Sequence, residues 1–326
     1  MDPARFFAAS RVLIVAGKGG VGKSTMSAVL ARAAARSGLS TLVVRLAPGG
    51  AIGNLYGRTG LGTAESTLHP GGGPSGDADV RTRLITADEA LSDYLDDHGM
   101  ARITRRLVST GAIDVVTTAA PGIRDLLVLG RVKALEMGRA ADLIILDAPA
   151  AGHAISFLQS PTGLLEAVGA GPIATQATDV LEMLADPARC RVILVTLPEE
   201  TPVNEVIETA FALEDEVGVH LGPVIVNGLL PRTTDGVGSG RSDASSSTTD
   251  IEESLLRSLE HAAAFDHAWR SRQGEQLDRL VDELPLPRLE VPLLTTTDPG
   301  PSHLELLSDA ILGAISRLDD PDEVER

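Results

Sequence analysis

The sequence predicts an α/β fold in which a doubly wound, mostly parallel sheet carries helices on both faces. Short runs rich in Val, Ile and Leu recur along the chain, and stretches with helical spacing separate them. Continuous apolar runs of this length are typical of strands that are buried on both faces. A glycine-rich turn directly follows the first run. Because ligands of such sheets bind at the carboxyl ends of the strands, this turn marks the expected site.

Seven runs are predicted as strands, at 11–16, 41–46, 113–118, 142–148, 191–197, 222–229 and 288–294. The Ala-rich stretch from Ser24 to Arg36 is predicted as a helix that ends before Gly38, a favourable capping residue. A second helix is expected at 251–283. The amphipathic stretch 302–318 has acidic flanks, which favours packing on the sheet over binding to a membrane.

The whole chain, 1–326, is expected to form one domain with an inserted helical part. Residues 88–137, apart from the run 113–118, and residues 154–188 carry Leu and Ala at helical spacing. Together they predict a helical subdomain over one end of the sheet. The tract 232–250 is rich in Gly, Ser and Thr and is predicted to be a flexible loop.

Composition excludes several functional classes. The formal net charge of −17 disfavours nucleic acid and anionic lipid as partners. The single cysteine, Cys190, excludes an intrachain disulfide and a Cys-pair metal site. The N-terminal stretch lacks the features of a signal peptide, and no apolar run reaches the length of a membrane span. We therefore expect a cytoplasmic protein with no stable membrane insertion.

The segment GKGGVGKST, Gly17–Thr25, contains the phosphate-loop pattern G-x-x-x-x-G-K-[ST]. Its glycines let backbone N–H groups turn towards phosphates, and the following helix points its positive end at the same place. Lys23 is expected to reach the β- and γ-phosphates of ATP, and Ser24 to bind Mg²⁺ through its hydroxyl. The expected nucleotide-binding residues in this segment are Gly17, Gly19, Gly20, Val21, Gly22, Lys23, Ser24 and Thr25.

A second lysine, Lys18, precedes the central glycines. The string KGGVGKS resembles the deviant phosphate-loop ATPases. That resemblance implies that Lys18 reaches across a dimer interface to the nucleotide of its partner, where its charge stabilises the transferred phosphate. The partner would be a second copy or a related ATPase subunit. A solvated loop lysine is the alternative.

The segment DLIILDAPAAGH, 142–153, resembles the switch loop of the ArsA and tail-anchored-protein-targeting ATPases. The resemblance implies that Asp147 supports Mg²⁺ and that Gly152 brings its N–H group to the γ-phosphate. His153 also matches, although an exposed histidine at a helix start is an equal alternative. Asn227, in VIVNGLLP, is implied to contact the adenine edge, with a simple turn Asn as the alternative. The stretch 117–136 is similar to a bacterial ArsA-like branch whose paired products assemble with each other.

The chain departs from this family after the second strand, where the family carries an aspartate that activates the attacking water. Here Ala47 falls at that position, and no carboxylate lies between Arg45 and Gly57. An alanine cannot orient water, so we expect slow hydrolysis by the isolated protein. Arg45 is expected to be solvated where the strand emerges, and a contact with phosphate is the alternative.

We therefore expect a dimeric Mg-ATP-dependent ATPase of the ArsA-like family whose switching handles a hydrophobic protein client. Residues 126–135 and 155–168 are apolar enough to line a client groove, although helix packing also explains them. The single cysteine disfavours arsenite binding and iron–sulfur sites. A weakly hydrolysing or non-hydrolysing subunit that regulates an active paralogue is the second hypothesis. A partition ATPase acting on DNA is disfavoured by the charge.

Overall fold

The computed structural model describes residues 1–73, 76–97, 99, 122–230 and 249–320. The strands in these ranges are β1 (Val12–Gly17), β2 (Thr41–Arg45), β3 (Ser66–His69), β4 (Val80–Leu84), β5 (Leu143–Ala150), β6 (Cys190–Thr196), β7 (Val224–Leu229) and β8 (Arg288–Pro292). They form one sheet in the order β3-β4-β2-β5-β1-β6-β7-β8. Only the pairing of β3 with β4 is antiparallel among these strands.

The helices of the described ranges are α1 (Pro3–Ala8), α2 (Lys23–Arg36), α3 (Ala51–Leu55), α4 (Ala87–Asp97), α5 (Ile123–Met137), α6 (Ala151–Val168), α7 (Pro172–Ala185), α8 (Glu200–Ala212), α9 (Thr249–Glu283) and α10 (Pro301–Ser316). One π-helical turn, Leu213–Val217, extends α8. None of these helices is long and apolar enough to cross a membrane.

The sheet separates two hydrophobic layers, which confirms the predicted α/β fold with helices on both faces. One layer contains apolar side chains of α2 and α10, such as Met26, Leu30 and Ile311. The other contains side chains of α5, α6, α7 and α8 and the C-terminal part of α9. Packing of α10 on the sheet, predicted from its acidic flanks, is also confirmed.

The predicted helix after the glycine-rich turn is confirmed as α2, and its C-terminal end has a simple physical cause. Gly38 has φ +91°, and the N–H group of Leu39 donates to the carbonyl of Ala34 at 3.1 Å. This geometry gives the Ala34 carbonyl a hydrogen-bond donor that it would otherwise lack at the end of the helix. Gly38 is therefore the capping residue that the sequence indicates.

Six of the seven predicted strands are observed, and the run 113–118 lies outside the described residues. Strands β3 and β4 were not predicted from the sequence. In β4, buried residues alternate with the half-buried Arg81 and Arg83. Alternation of this kind is typical of a strand near the edge of a sheet, and it breaks the continuous apolar run that identified the other strands.

Helices α4 to α7 fall in or near the predicted stretches 88–137 and 154–188, of which residues 98 and 100–121 are not described. Leu126, Leu129 and Val132 of α5 belong to the same core layer as the sheet residues of β1 and β5. The division into a subdomain therefore stays a prediction. The predicted loop 232–250 lies outside the described residues except for Thr249 and Asp250, which begin α9.

Candidate functional site

The glycine-rich segment connects the central strand β1 to α2. Strand β1 lies between β5 and β6, so the segment emerges at the carboxyl edge in the middle of the sheet. Gly17, Gly20 and Gly22 all have positive φ angles, of 153°, 90° and 94°. These are backbone conformations that side chains other than glycine rarely adopt. The local sequence thus allows the loop to curl over the N-terminus of α2.

Two of these glycines also allow close packing under the loop. A Cβ atom at Gly17 would lie 2.3 Å from the carbonyl oxygen of Val195, and one at Gly22 would lie 2.5 Å from Asn227 Nδ2. At Gly20, by contrast, nothing lies within 4 Å of such an atom. The inner side of the loop is therefore tightly packed, while Gly20 and the exposed Gly19 face open space.

A carboxylate lies directly below the loop. Ser24 Oγ donates a hydrogen bond to Asp147 Oδ2 at 2.6 Å, and Ser27 Oγ donates to Asp147 Oδ1 at 3.2 Å. Burial raises the pKa of Asp147, and the two hydroxyl donors, Lys23 and Arg45 partly offset that rise. A hydroxyl and a carboxylate oxygen side by side are ligands that suit Mg²⁺. The donor set therefore fits the predicted metal site.

The two lysines of the loop have different partners. Lys23 Nζ donates to the backbone carbonyl of Lys18 at 3.0 Å, and burial lowers the pKa of Lys23 while Asp147 opposes this shift. Lys18 Nζ turns away and donates to Glu205 Oε1 on α8 at 2.6 Å. Both side chains of this ion pair are 36% exposed. Only Lys23 thus lies along its own loop.

The expectation that Arg45 is solvated is wrong. Arg45 is 2% exposed; its Nε donates to Thr82 Oγ1 at 3.1 Å and its Nη2 to the carbonyl of Gly62 at 2.9 Å. Its Nη1 is buried and has no hydrogen-bond partner among the described residues. Arg45 stands opposite Asp147 in the register of β2 and β5. Burial lowers the pKa of Arg45, and the charge of Asp147 opposes that shift.

Ala47 lies two residues beyond β2 and is exposed. It follows the strand that pairs with the carboxylate-bearing β5, so the structure brings it to the same edge of the sheet as Asp147. The sequence from Leu46 to Ala64 contains no Asp or Glu. The end of β2 therefore supplies a buried cation, Arg45, and the segment that follows it supplies no carboxylate.

The remaining predicted residues border the loop. Gly17 pairs with Ala150 across β1 and β5, so Gly152, exposed in the first turn of α6, lies near the start of the loop. His153 is exposed. Burial raises the pKa of Asp125, and the nearby charges of Arg124 and His153 partly offset that rise.

Asn227 is the predicted adenine-binding residue. Its Nδ2 donates to the carbonyl of Val21 at 2.9 Å, and Val21 is itself 1% exposed. Asn227 therefore supports the phosphate loop from β7, and its contact with adenine stays a prediction. Thr25 lies half-buried in the first turn of α2.

Two side chains of this site, Ser27 and Glu205, were not predicted from the sequence. Ser27 follows Ser24 by three residues on α2, and helical spacing could have placed both hydroxyls on one face. Glu205 lies 187 residues from Lys18 in the chain, and no sequence pattern connects them.

A phosphate loop at the centre of a mostly parallel sheet, with a hydroxyl and a carboxylate beneath it, defines a P-loop nucleoside triphosphatase. Residues 10–170 match the profile of the anion-transporting ATPases, ArsA_ATPase. The ATPase BagA of Mycobacterium tuberculosis (strain ATCC 25618 / H37Rv) is 30% identical over 309 residues, which cover 87% of this chain and 88% of BagA.

More distant similarity extends to the arsenical pumps. A putative arsenical pump-driving ATPase of Halobacterium salinarum is 26% identical over 241 residues, 68% of this chain and 36% of that protein. An arsenical pump-driving ATPase of Escherichia coli is 27% identical over 242 residues, 68% of this chain and 40% of that protein. The chain belongs to the ArsA-like ATPase family. The predicted family is confirmed, and the protein is an ATP-binding ATPase.

Proposed function

We propose that this ATPase holds Mg-ATP at Gly17–Thr25, where Ser24 would bind Mg²⁺ and Asp147 would support it. The observation that carries the proposal is the pair of hydrogen bonds from Ser24 and Ser27 to the Asp147 carboxylate. Lys23 would leave the Lys18 carbonyl and turn to the β- and γ-phosphates. Bound Mg²⁺ supplies neutralisation of phosphate charge. Gly152 would donate its N–H group to the γ-phosphate of bound ATP. ADP would occupy the same loop after hydrolysis.

The second part of the proposal concerns Lys18, which would act on the nucleotide of a partner in a homodimer or in a heterodimer with a related subunit. Support comes from the direction of its side chain, which leaves its own loop and pairs with Glu205. An exposed ion pair of this kind is worth about 1 kcal/mol or less, so a partner's phosphates can displace Glu205. A lysine supplied in this way would stabilise charge on the transferred phosphate.

A regulatory role is the second candidate function. Ala47 is exposed at the carboxyl end of β2, where the family resemblance requires an aspartate. A subunit without that carboxylate would bind ATP and contribute Lys18, while an active paralogue performs most of the hydrolysis. Asn227 would contact adenine in either role.

A hydrophobic protein client would bind on the helical layer formed by α4 to α7. Leu126, Leu129 and Val132 are buried in the core, so ordinary packing explains much of the stretch 126–135. Met137 and Val168, at the ends of α5 and α6, are 67% and 46% exposed. We place client contact at these helix ends, in a protein that acts in the cytoplasm without a nucleic acid partner. Replacement of Met137 by Asp should weaken client capture without changing ATP binding.

Mixed variants test the lysine assignments. Lys23→Ala and Lys18→Ala should each abolish ATP turnover, and Lys18→Ala should still bind ATP. If Lys18 acts in a partner, an equimolar mixture of the two variants regains turnover, because one site of the mixed dimer keeps both lysines. Arg317→Ala, which removes an exposed charge on another part of the surface, is the control.

The outcomes of the mixing experiment separate the candidates. No recovery in the mixture would contradict the action of Lys18 in a partner. Wild-type turnover equal to that of Lys23→Ala, with ATP still bound, would favour the regulatory role. Absence of ATP binding by the wild type would overturn the assignment of the site.

A further inference from the structure

Helix α9 is longer than its packing on the protein requires. It runs from Thr249 to Glu283, 35 residues, and a helix of that length spans about 52 Å. Leu280 and Leu284, at and just beyond its C-terminal end, lie in the core. Residues 257–265 are exposed on every side of the helix. The N-terminal half of α9 therefore extends away from the rest of the described structure.

This half carries large apolar side chains on one side. Leu255, Leu259, Phe265 and Trp269 are 58%, 57%, 65% and 42% exposed. At about 100° per residue, all four fall within an arc of about 120°. The buried Gln273 and Leu280 lie in the same arc. The face that packs on the protein thus continues outward without a cover in the described structure, and we call these four side chains the α9 stripe.

The α9 stripe has a centre of symmetry at Ala262. Leu255 and Trp269 are each seven residues from Ala262, and Leu259 and Phe265 are each three residues from it. An antiparallel copy of the helix, related by a two-fold axis at Ala262, would place Leu255 against the second copy's Trp269. It would also place Leu259 against the second copy's Phe265. The pattern is therefore complementary to itself, as a two-fold interface requires.

The size and charge of the side chains along the α9 stripe are compatible with close contact between two helices. Ala262 is small and lies within the same arc, so two helices can approach each other closely at the axis. Asp266 lies within the arc of the stripe and Arg270 just outside it, and the two charges neutralise each other, because Arg270 Nε donates to Asp266 Oδ2 at 2.7 Å. The exposed area of the four apolar side chains is on the order of 400 Å² per copy, a patch size that marks interaction sites.

A groove beside the stripe provides space for the partner's side chains. It has a volume of about 770 Å³ and is lined by Phe265, Ala268 and Trp269 together with Pro198 and Glu200 near the start of α8. Phe265 and Trp269 contact each other edge to face, with ring centroids 5.5 Å apart. Because Leu255 of an antiparallel copy would lie level with Trp269, its side chain could enter this groove.

We propose that α9 is a dimerisation helix that pairs antiparallel with α9 of a second copy about a two-fold axis at Ala262. This pairing needs no nucleotide and no Lys18. It is therefore distinct from the ATP-dependent contact proposed above.

A single engineered cysteine tests the register. Native Cys190 is fully buried, and burial raises the pKa of its thiol to about 12, so it does not compete. Ala262→Cys should form an intermolecular disulfide under mild oxidation without nucleotide. Ala264→Cys, two residues away and on the opposite side of the helix, should not. Equal yields at the two positions, or no disulfide at residue 262, would overturn the proposal.

Sedimentation without nucleotide provides an independent measurement. The wild type should be a dimer, and Leu259→Asp with Phe265→Asp should be a folded monomer, whose melting temperature falls only by the stabilisation that dimerisation provides. Val281→Asp, which alters an exposed apolar residue of α9 outside the stripe, is the control and should remain dimeric. Lys18→Ala should also remain dimeric, so the two interface proposals can fail separately. A monomeric wild type, or one that dimerises only with a paralogue, would contradict self-pairing.

Discussion

Lys18 and Glu205 form an ion pair between the phosphate loop and α8, with 2.6 Å from Lys18 Nζ to Glu205 Oε1. The pair holds the proposed trans-acting lysine on its own subunit. Any action of Lys18 on a neighbouring nucleotide must first break this contact.

Glu205→Gln should therefore raise ATP turnover by as much as about fivefold, because the broken contact is a half-exposed ion pair worth about 1 kcal/mol or less. Steady-state turnover at limiting protein concentration is the measurement. Glu208→Gln, an exposed carboxylate on the same helix, is the matched control. A fall in turnover of Glu205→Gln would mean that Glu205 positions Lys18 rather than restraining it.

Ser27→Ala should change the pH dependence of turnover. Burial already raises the pKa of Asp147, and the hydrogen bond from Ser27 is one of the contacts that lower it. Loss of this donor should raise the pKa further, so that a proton competes with Mg²⁺ at higher pH. The acidic limb of the profile should therefore shift to higher pH.

The control for Ser27 is Ser37→Ala, at the other end of α2, where the hydroxyl donates to the carbonyl of Ala33. Its profile should match that of the wild type. A limb that moves to lower pH in Ser27→Ala would contradict the position of Asp147 at the metal.

Arg45→Met should weaken ATP binding more than ADP binding. The guanidinium is buried next to β5, and its loss removes a fixed positive charge from the edge of the sheet where Ala47 emerges. We expect a loss of ATP affinity on the order of tenfold, measured by titration, with a smaller loss in Arg45→Lys. Thr82→Val removes one acceptor of Arg45 without a change of charge. If Arg45→Met and Thr82→Val change the ratio of ATP to ADP affinity equally, the charge of Arg45 does not act on the nucleotide and its role is structural.

Gly22→Ala should destabilise the protein more than Gly20→Ala. Both residues have positive φ angles, which cost a non-glycine residue about 1–2 kcal/mol. At Gly22, a Cβ atom would also displace the amide of Asn227 from its hydrogen bond with Val21, whereas Gly20 faces open space. Thermal unfolding without nucleotide measures the difference. Equal melting temperatures would show that Asn227 does not support the loop.

The strands differ in how clearly the sequence predicts them. Those buried on both faces, such as β1 and β5, were predicted because their burial appears as continuous apolar runs. Strand β4 was missed because its half-buried Arg81 and Arg83 interrupt the run. Arg45 was misplaced for a related reason, since a charged residue at a strand end is usually solvated. Its burial depends on Thr82 and Gly62, which are distant in the chain.

Three features of the site could be predicted from the sequence alone: the phosphate loop, the apolar strand that ends near Asp147 and the absence of a carboxylate at Ala47. These features are local, because a loop of glycines and a strand–helix junction are formed by consecutive residues. The folded structure was needed to show that Lys18 pairs with Glu205, that Arg45 is buried beside Asp147 and that Asn227 supports the loop. These contacts depend on strand order and register, which bring together side chains that no local pattern connects.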